Sequence, residues 1–223
     1  DAGWTTAKGS APNLKTAAGS GPTVATASAP VRIARGTIPI GKYVAAAIPC
    51  GRRVPDDMFA GRHLAELGKV VEQVLAAEAP VHIEVLARRT AAYFGVGKIT
   101  PRIIEQVRSV LDGRGKILAD EPDIIWRADQ DPNAVLGVRV AGANPIACRD
   151  ITEIPLSEVA AAARIVVERA PSVPRQDLVR DCARLLGFAR ITDKVTARVS
   201  LGVELAMVRE LIAIENDRAH LLS

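Results

Sequence analysis

Aromatic side chains are scarce in this chain: two Trp, two Tyr and three Phe among 223 residues. Hydrophobic residues still make up 48%, so the core must be filled by Ala, Val, Leu and Ile. That balance suits packed helices more than a β-sandwich. Cysteine is equally sparse. Cys50, Cys148 and Cys182 are odd in number, far apart and in no CxxC spacing. This argues against a disulfide framework or a zinc site and for a reducing, cytoplasmic setting. No apolar run reaches membrane-spanning length, and the first residues hold no signal-like apolar segment.

Catalytic signatures are missing too. There is no HExxH, GxSxG, Walker A or GxGxxG motif, and the carboxylates are scattered along amphipathic stretches. His63 and His220 stand alone in sequence. The expectation is a module with no catalysis, no metal and no cofactor of its own. Lys and Arg total 29 against 25 Asp and Glu, with a pI near 9.2. That balance permits a polyanionic partner without requiring one.

What is present is helical periodicity with clear punctuation. Residues 1–36 begin with a run of Ala, Gly, Ser, Thr and Pro, and read as a linker or tail cut from something longer. "VRIARGTIPIGKYVAAAI" follows as an extended arm expected to pack on the next unit. Leu64, Leu67, Val71, Val74 and Leu75 then line one helical face, with Asp56 and Asp57 as acids near its start and Pro80 as its stop. A second helix runs from Ile83 to Phe94, with Gly95 in the C′ position. Thr100 is placed to N-cap a third helix, with Pro101 at its first turn. "KIL" and "IIW" read as a hairpin turning at Pro122–Asp123. Helix, helix, turn, helix, hairpin is the winged-helix order.

The chain then repeats itself. Residues 80–107 and 172–199 align without a gap at a shift of 92, and eight of the 28 positions are identical, among them Gly95/Gly187, Ile99/Ile191 and Thr100/Thr192. Lys98/Arg190 and Arg102/Lys194 keep their charge. Matches fall on core positions, the glycine cap and the start of the third helix, as a shared fold requires. The second unit opens its first helix with Ser157 near the cap, and it ends in a hairpin with an Asn216–Asp217 turn. The predicted fold class is mainly α with small β-hairpins (α+β), built as tandem winged-helix repeats. Unit one spans 37–127 with its N-terminal arm, a connector 128–154, and unit two 155–223. Within the connector, the apolar stretch Val135–Val140 predicts order.

"EQVLAAEAPVHIEVLARRTAAYFGVGKI" and "EIPLSEVAAAARIVV", followed by "DLVRDCARLLGFARITDKV", resemble an uncharacterised C-terminal domain of large bacterial superfamily I helicases that often also carry a Vsr-like endonuclease domain. The resemblance covers about residues 40–222. Ala79 stands where the family has glycine, and Thr100 and Thr192 also replace a frequent glycine. The resemblance implies a module of a DNA-processing, anti-phage helicase–nuclease. Its expected partners are DNA and the helicase and nuclease domains of the same polypeptide.

The third helix of such a unit presents its N-terminus to phosphates. Lys98, Thr100 and Arg102 surround that terminus in unit one, with Arg108 further along and Arg114 and Lys116 at the wing. Arg190, Thr192, Lys194 and Arg198 do the same in unit two. Gln106 is one of few residues suited to reading bases, so backbone or fork contacts without sequence specificity are expected. The alternative is a protein-interaction scaffold, since winged helices also dock other domains. "EAPVH" admits an acid–base pair of Glu78 and His82. A turn in which His82 caps the next helix fits better, because unit two has "APSVPR" there. Trp126 reads as core rather than as a base-stacking platform.

Overall fold

Local signals place most of the elements. α1 runs Leu64–Glu78 and buries the expected stripe of Leu67, Val71, Val74 and Leu75. Asp56 and Asp57 do not sit at its start. They lie in a separate 3-10 turn, Pro55–Phe59, which a second turn, Gly61–His63, parts from α1. After a cis Ala79–Pro80 bond, β3 (Val81–His82) leads into α2 (Ile83–Tyr93), where His82 Nδ1 accepts from the Glu84 amide at 3.2 Å. Gly95 (φ +67°) and Gly187 (φ +100°) take the left-handed conformation that lets the chain leave each second helix without strain. α3 (Pro101–Arg108) starts with Pro101 in its first turn, and Thr100 holds the cap position without a side-chain bond. β4 (Gly115–Leu118) and β5 (Ile124–Arg127) form the antiparallel hairpin.

The computed structural model describes residues 24–25, 37–134, 137–142, 147–170 and 172–222. Most of the expected tail, Trp4 and Val135 therefore lie outside the described residues. β1 (Val24–Ala25) pairs in parallel with β4. The described chain is mixed helix and sheet, with six α-helices and small, mostly antiparallel sheets.

The second half follows the same order. β6 (Val138–Val140) and a 3-10 turn at Ile151–Glu153 lead into α4 (Leu156–Arg169), β7 (Val173–Pro174), α5 (Arg175–Leu185), α6 (Asp193–Val208), β8 (Ala213–Glu215) and β9 (Arg218–His220). The sheet order β7-β9-β8 repeats β3-β5-β4. The shift is 92 at Leu64/Leu156 and at Pro101/Asp193, and 94 at Ile124/Arg218. α6 has sixteen residues where α3 has eight. Asn216 (φ 49°) and Asp217 (φ 61°) form the tight hairpin turn.

Three expectations need correction. The arm does not pack on unit one alone: β2 (Ile40–Lys42) pairs in parallel with β6, and Ile38 is buried in the core of unit two beside Val138. Apolar Ile38 finds its burial there, and only from Tyr43 onward does the segment return to unit one. Ser157 does not cap α4. Pro155 holds that position, the buried Ser157 hydroxyl has no hydrogen-bond partner among the described residues, and the Leu156 amide is met by the Glu121 carboxylate of the first hairpin at 3.1 and 3.2 Å. Leu64, an expected core position, is exposed.

Each half has its own apolar cluster, and Trp126 is fully buried against Leu118 and Ile124. α4 and α6 cross at close range. The run Ala160–Ala163 supplies a flat surface on α4, and a Cβ built on Gly202 of α6 would collide with the Val159 side chain. Gly202→Ala should therefore destabilise the fold by about 2 kcal/mol through overpacking. Gly61→Ala meets open space and should cost less than about 0.5 kcal/mol. Urea denaturation of both variants checks the difference.

Candidate functional site

The two glycine turns place equivalent cations at equivalent helix starts. Lys98 and Arg190 are exposed, and neither has an acid partner among the described residues. Thr100 and Thr192 are exposed at the two cap positions, and Thr192 Oγ1 accepts from the Val195 amide at 3.4 Å. The Arg102 guanidinium lies 4.1 Å from the centre of the Phe59 ring, again without a carboxylate. Its counterpart Lys194 is less free: Nζ sits 2.7 Å from Asp150, whose carboxyl is held down at about 2 by that bond and the Thr152 amide.

The structure adds Arg52 to the first tip. Gly51 and Arg52 fold back on the end of α2, their amides donating to Ala92 and Tyr93 carbonyls at 2.9 and 2.8 Å. Arg52 is exposed and unpaired among the described residues. Its neighbourhood is a tertiary fact, since "CGRRV" carries no sign of where it will dock.

Most of the other expected contact residues are engaged within the chain by a nearer partner; Lys116 is the exception. Arg108 reaches back to Asp123 at 3.1 Å and to the Pro122 carbonyl. Arg114 pairs with Glu72 at 2.8 Å and lies over Gly68. Arg198 is not on an exposed side. It is clamped between Glu121 at 2.6 Å and the Ile154 carbonyl at 2.8 Å. Burial pushes the Glu121 carboxyl up, and Arg198 and the Leu156 amide only partly offset this. Lys116 is half-buried on β4 across from Trp126, without an acid partner among the described residues. Gln106 does not face outward to read bases; it donates to the Met58 carbonyl at 3.0 Å.

"EAPVH" behaves as a turn. His82 caps α2, whereas Glu78 is fully buried and accepts from the Tyr43 hydroxyl, the Ala46 amide at 2.8 Å and Arg89 Nε at 3.1 Å. The two groups serve different partners, so no acid–base pair forms. Beside Glu78 lies a polar network that the sequence did not announce. Glu158 of α4 is fully buried and receives Arg149 at 2.6 Å and Arg139 at 2.9 Å. Burial alone would push its carboxyl up; the two guanidiniums outweigh this and hold it below the usual range. Arg139 also donates to the Glu78 carbonyl at 2.7 Å and the Pro80 carbonyl at 2.9 Å, joining the two halves. Both arginines stack on the Tyr43 ring.

The repeat provides the only sequence signal for this network: Glu66 is the counterpart of Glu158 at the same shift of 92. It too holds the segment ahead of its helix, accepting from Tyr93 at 2.6 Å, Arg53 at 3.1 Å and His63 at 3.1 Å. Those bonds hold its carboxyl at about 2. Among the described residues no three His, Cys, Asp or Glu side chains are grouped to hold a metal, and no helix is long and apolar enough to cross a membrane.

Arg149 is 5% exposed, and Arg149→Met should cost about 3 kcal/mol because Glu158 stays buried with one cation fewer. Arg184→Met, which breaks the exposed helix-surface pair with Asp181, should cost about 0.5 kcal/mol or less by the same denaturation assay. Glu66 titrates lower in the folded chain than when unfolded, so the folded state binds fewer protons in acid. Its stabilisation is complete above the unfolded carboxyl range and is lost as pH falls toward about 2. Glu66→Gln should flatten the acid limb of a melting-temperature profile and lower the plateau at neutral pH.

The profile of a family described as a protein of unknown function (DUF3320) matches residues 56–105, which hold α1, α2 and the Lys98–Arg102 part of the first basic tip. No curated protein and no solved structure matches the chain.

Proposed function

We propose that the chain is a non-catalytic nucleic-acid-binding accessory module, built as two winged helices, that serves a helicase–nuclease in DNA processing or anti-phage defence. One observation carries this reading. Lys98 and Arg190 hold equivalent places beside the first turns of α3 and α6, both exposed and both without an acid partner among the described residues. Structural cations are usually paired, and a duplicated unpaired one beside a helix N-terminus suits phosphate oxygens. The winged-helix assignment is supported by the repeated element order and by the short strand that pairs with each hairpin. The resemblance of the two motif stretches supports the helicase and nuclease domains of the same polypeptide as partners, and the few, widely spaced cysteines support a cytoplasmic setting. Contacts are expected with the backbone, at a duplex or fork, because Gln106 and Arg198 are engaged internally.

A protein-docking scaffold is the second reading, favoured by the outward side of α6. Leu201 is 49% and Val208 72% exposed there, where a base-reading helix would carry polar groups.

Affinity for duplex and forked DNA, measured across salt concentrations, separates the two. With Lys98, Arg102, Arg190 and Arg52 as the uncommitted cations at the tips, the log–log slope should be about −3 to −4. Lys98→Glu combined with Arg190→Glu should remove most of the binding and leave the melting temperature unchanged. No binding at low salt, or an unaffected double variant, would favour the scaffold.

A further inference from the structure

The two copies of the fold differ at one groove, between the second helix, the third helix and the hairpin turn. In unit one Arg108 spans it: from α3 its guanidinium reaches Asp123 in the turn at 3.1 Å and the Pro122 carbonyl. Ile104 packs on the core beside it. In unit two the counterparts are Ser200 and Thr196, at the same shift of 92. Two long side chains are replaced by two short hydroxyls, and a cleft of about 360 Å³ stands open between α5, α6 and the turn. Val179 and Ile191 contribute apolar surface, and Gln176, Thr196, Ser200 and Asp217 surround it with polar groups.

The turn acid is kept in both copies. Asp217 corresponds to Asp123 at the hairpin shift of 94. In unit one that acid holds the Arg108 guanidinium, whereas the Asp217 carboxylate is exposed and has no partner among the described residues. Two arginines also border the cleft, but both are committed: Arg175 to Glu204 at 3.5 Å, and Arg180 to Asp177 at 2.8 Å and Asp181 at 3.5 Å. The uncommitted groups are thus a carboxylate, two hydroxyls and an amide, which together suit a cation with several N–H donors.

We propose that this cleft receives an arginine side chain presented by a partner protein, in the place that Arg108 fills from within unit one. The methylene stem lies on Val179 and Ile191, and the guanidinium meets Asp217, with Thr196 and Ser200 alongside. The cleft adjoins the second basic tip at Ile191 but uses none of the tip cations, and it does not rest on their reading as a nucleic-acid interface. The size of the cleft matches the lower end of ligand-binding clefts.

The test is an NMR titration of the full chain with N-acetyl-arginine methylamide. Saturable shifts are expected at the amides of Thr196, Ser200 and Asp217, with no response to the leucine analogue. Asp217→Asn, at an exposed turn, should weaken the response about tenfold, the loss of one charge-assisted pair. Ser200→Arg should abolish it and raise the melting temperature, because the new side chain can close the cleft from within. Three results would overturn the proposal. They are no response to the arginine analogue, the same shifts on adding inorganic phosphate, and cleft shifts that follow protein concentration alone, which would make a second copy the occupant.

Discussion

A carboxylate with no water around it dominates the architecture. Glu158 is fully buried on α4 and keeps its charge only because Arg149 and Arg139 converge on it. An ion removed from water without such partners costs several kcal/mol. Those partners come from β6 and from the segment ahead of α4, so that stretch must lie against the helix. Arg139 then extends the constraint across the molecule, since its remaining donors are spent on the Glu78 and Pro80 carbonyls of unit one. Tyr43 closes the network, with its ring under both guanidiniums and its hydroxyl on Glu78. Buried hydrogen bonds have strict geometry, so the relative placement of the halves is specified here more than by apolar contact, which is non-directional.

A second junction works on the same principle. The turn of the first hairpin carries Glu121, which meets both the first amide of α4 and the Arg198 side chain of α6. A helix start leaves amides unpaired, and an acid supplied from another element satisfies them. The first hairpin is therefore engaged within the chain. Of the cations expected at the helix starts and wings, those at the glycine turns stay outward, joined by Arg52. The repeated element order frames the pattern. Each copy keeps the turn, the cap and the core, while the long side chains that fill gaps in one copy are absent from the other, as at Arg108 and Ser200.

Much of the local structure was legible. Gly95 and Gly187 ended the second helices, Pro101 opened α3, and Asn216–Asp217 made the tight turn, because backbone conformation at these places depends on neighbours in sequence. His82 as a cap and Trp126 as core were also readable. Asp56 and Asp57 misled because two 3-10 turns intervene before α1, and acidic residues suit the start of either kind of helix. Ser157 misled because a serine near a helix start is more often a cap than a buried first-turn residue.

The sequence by itself determined the helices, their stops, the hairpins and the doubling, all of which follow from periodicity and turn chemistry acting over a few residues. Only the tertiary structure decided which charges are available. Lys98 and Arg198 look alike in the chain, yet one faces solvent and the other is clamped between Glu121 and Ile154. The physical reason is that a side chain's electrostatic partner is chosen by distance in space, and Glu121 lies 77 residues from Arg198.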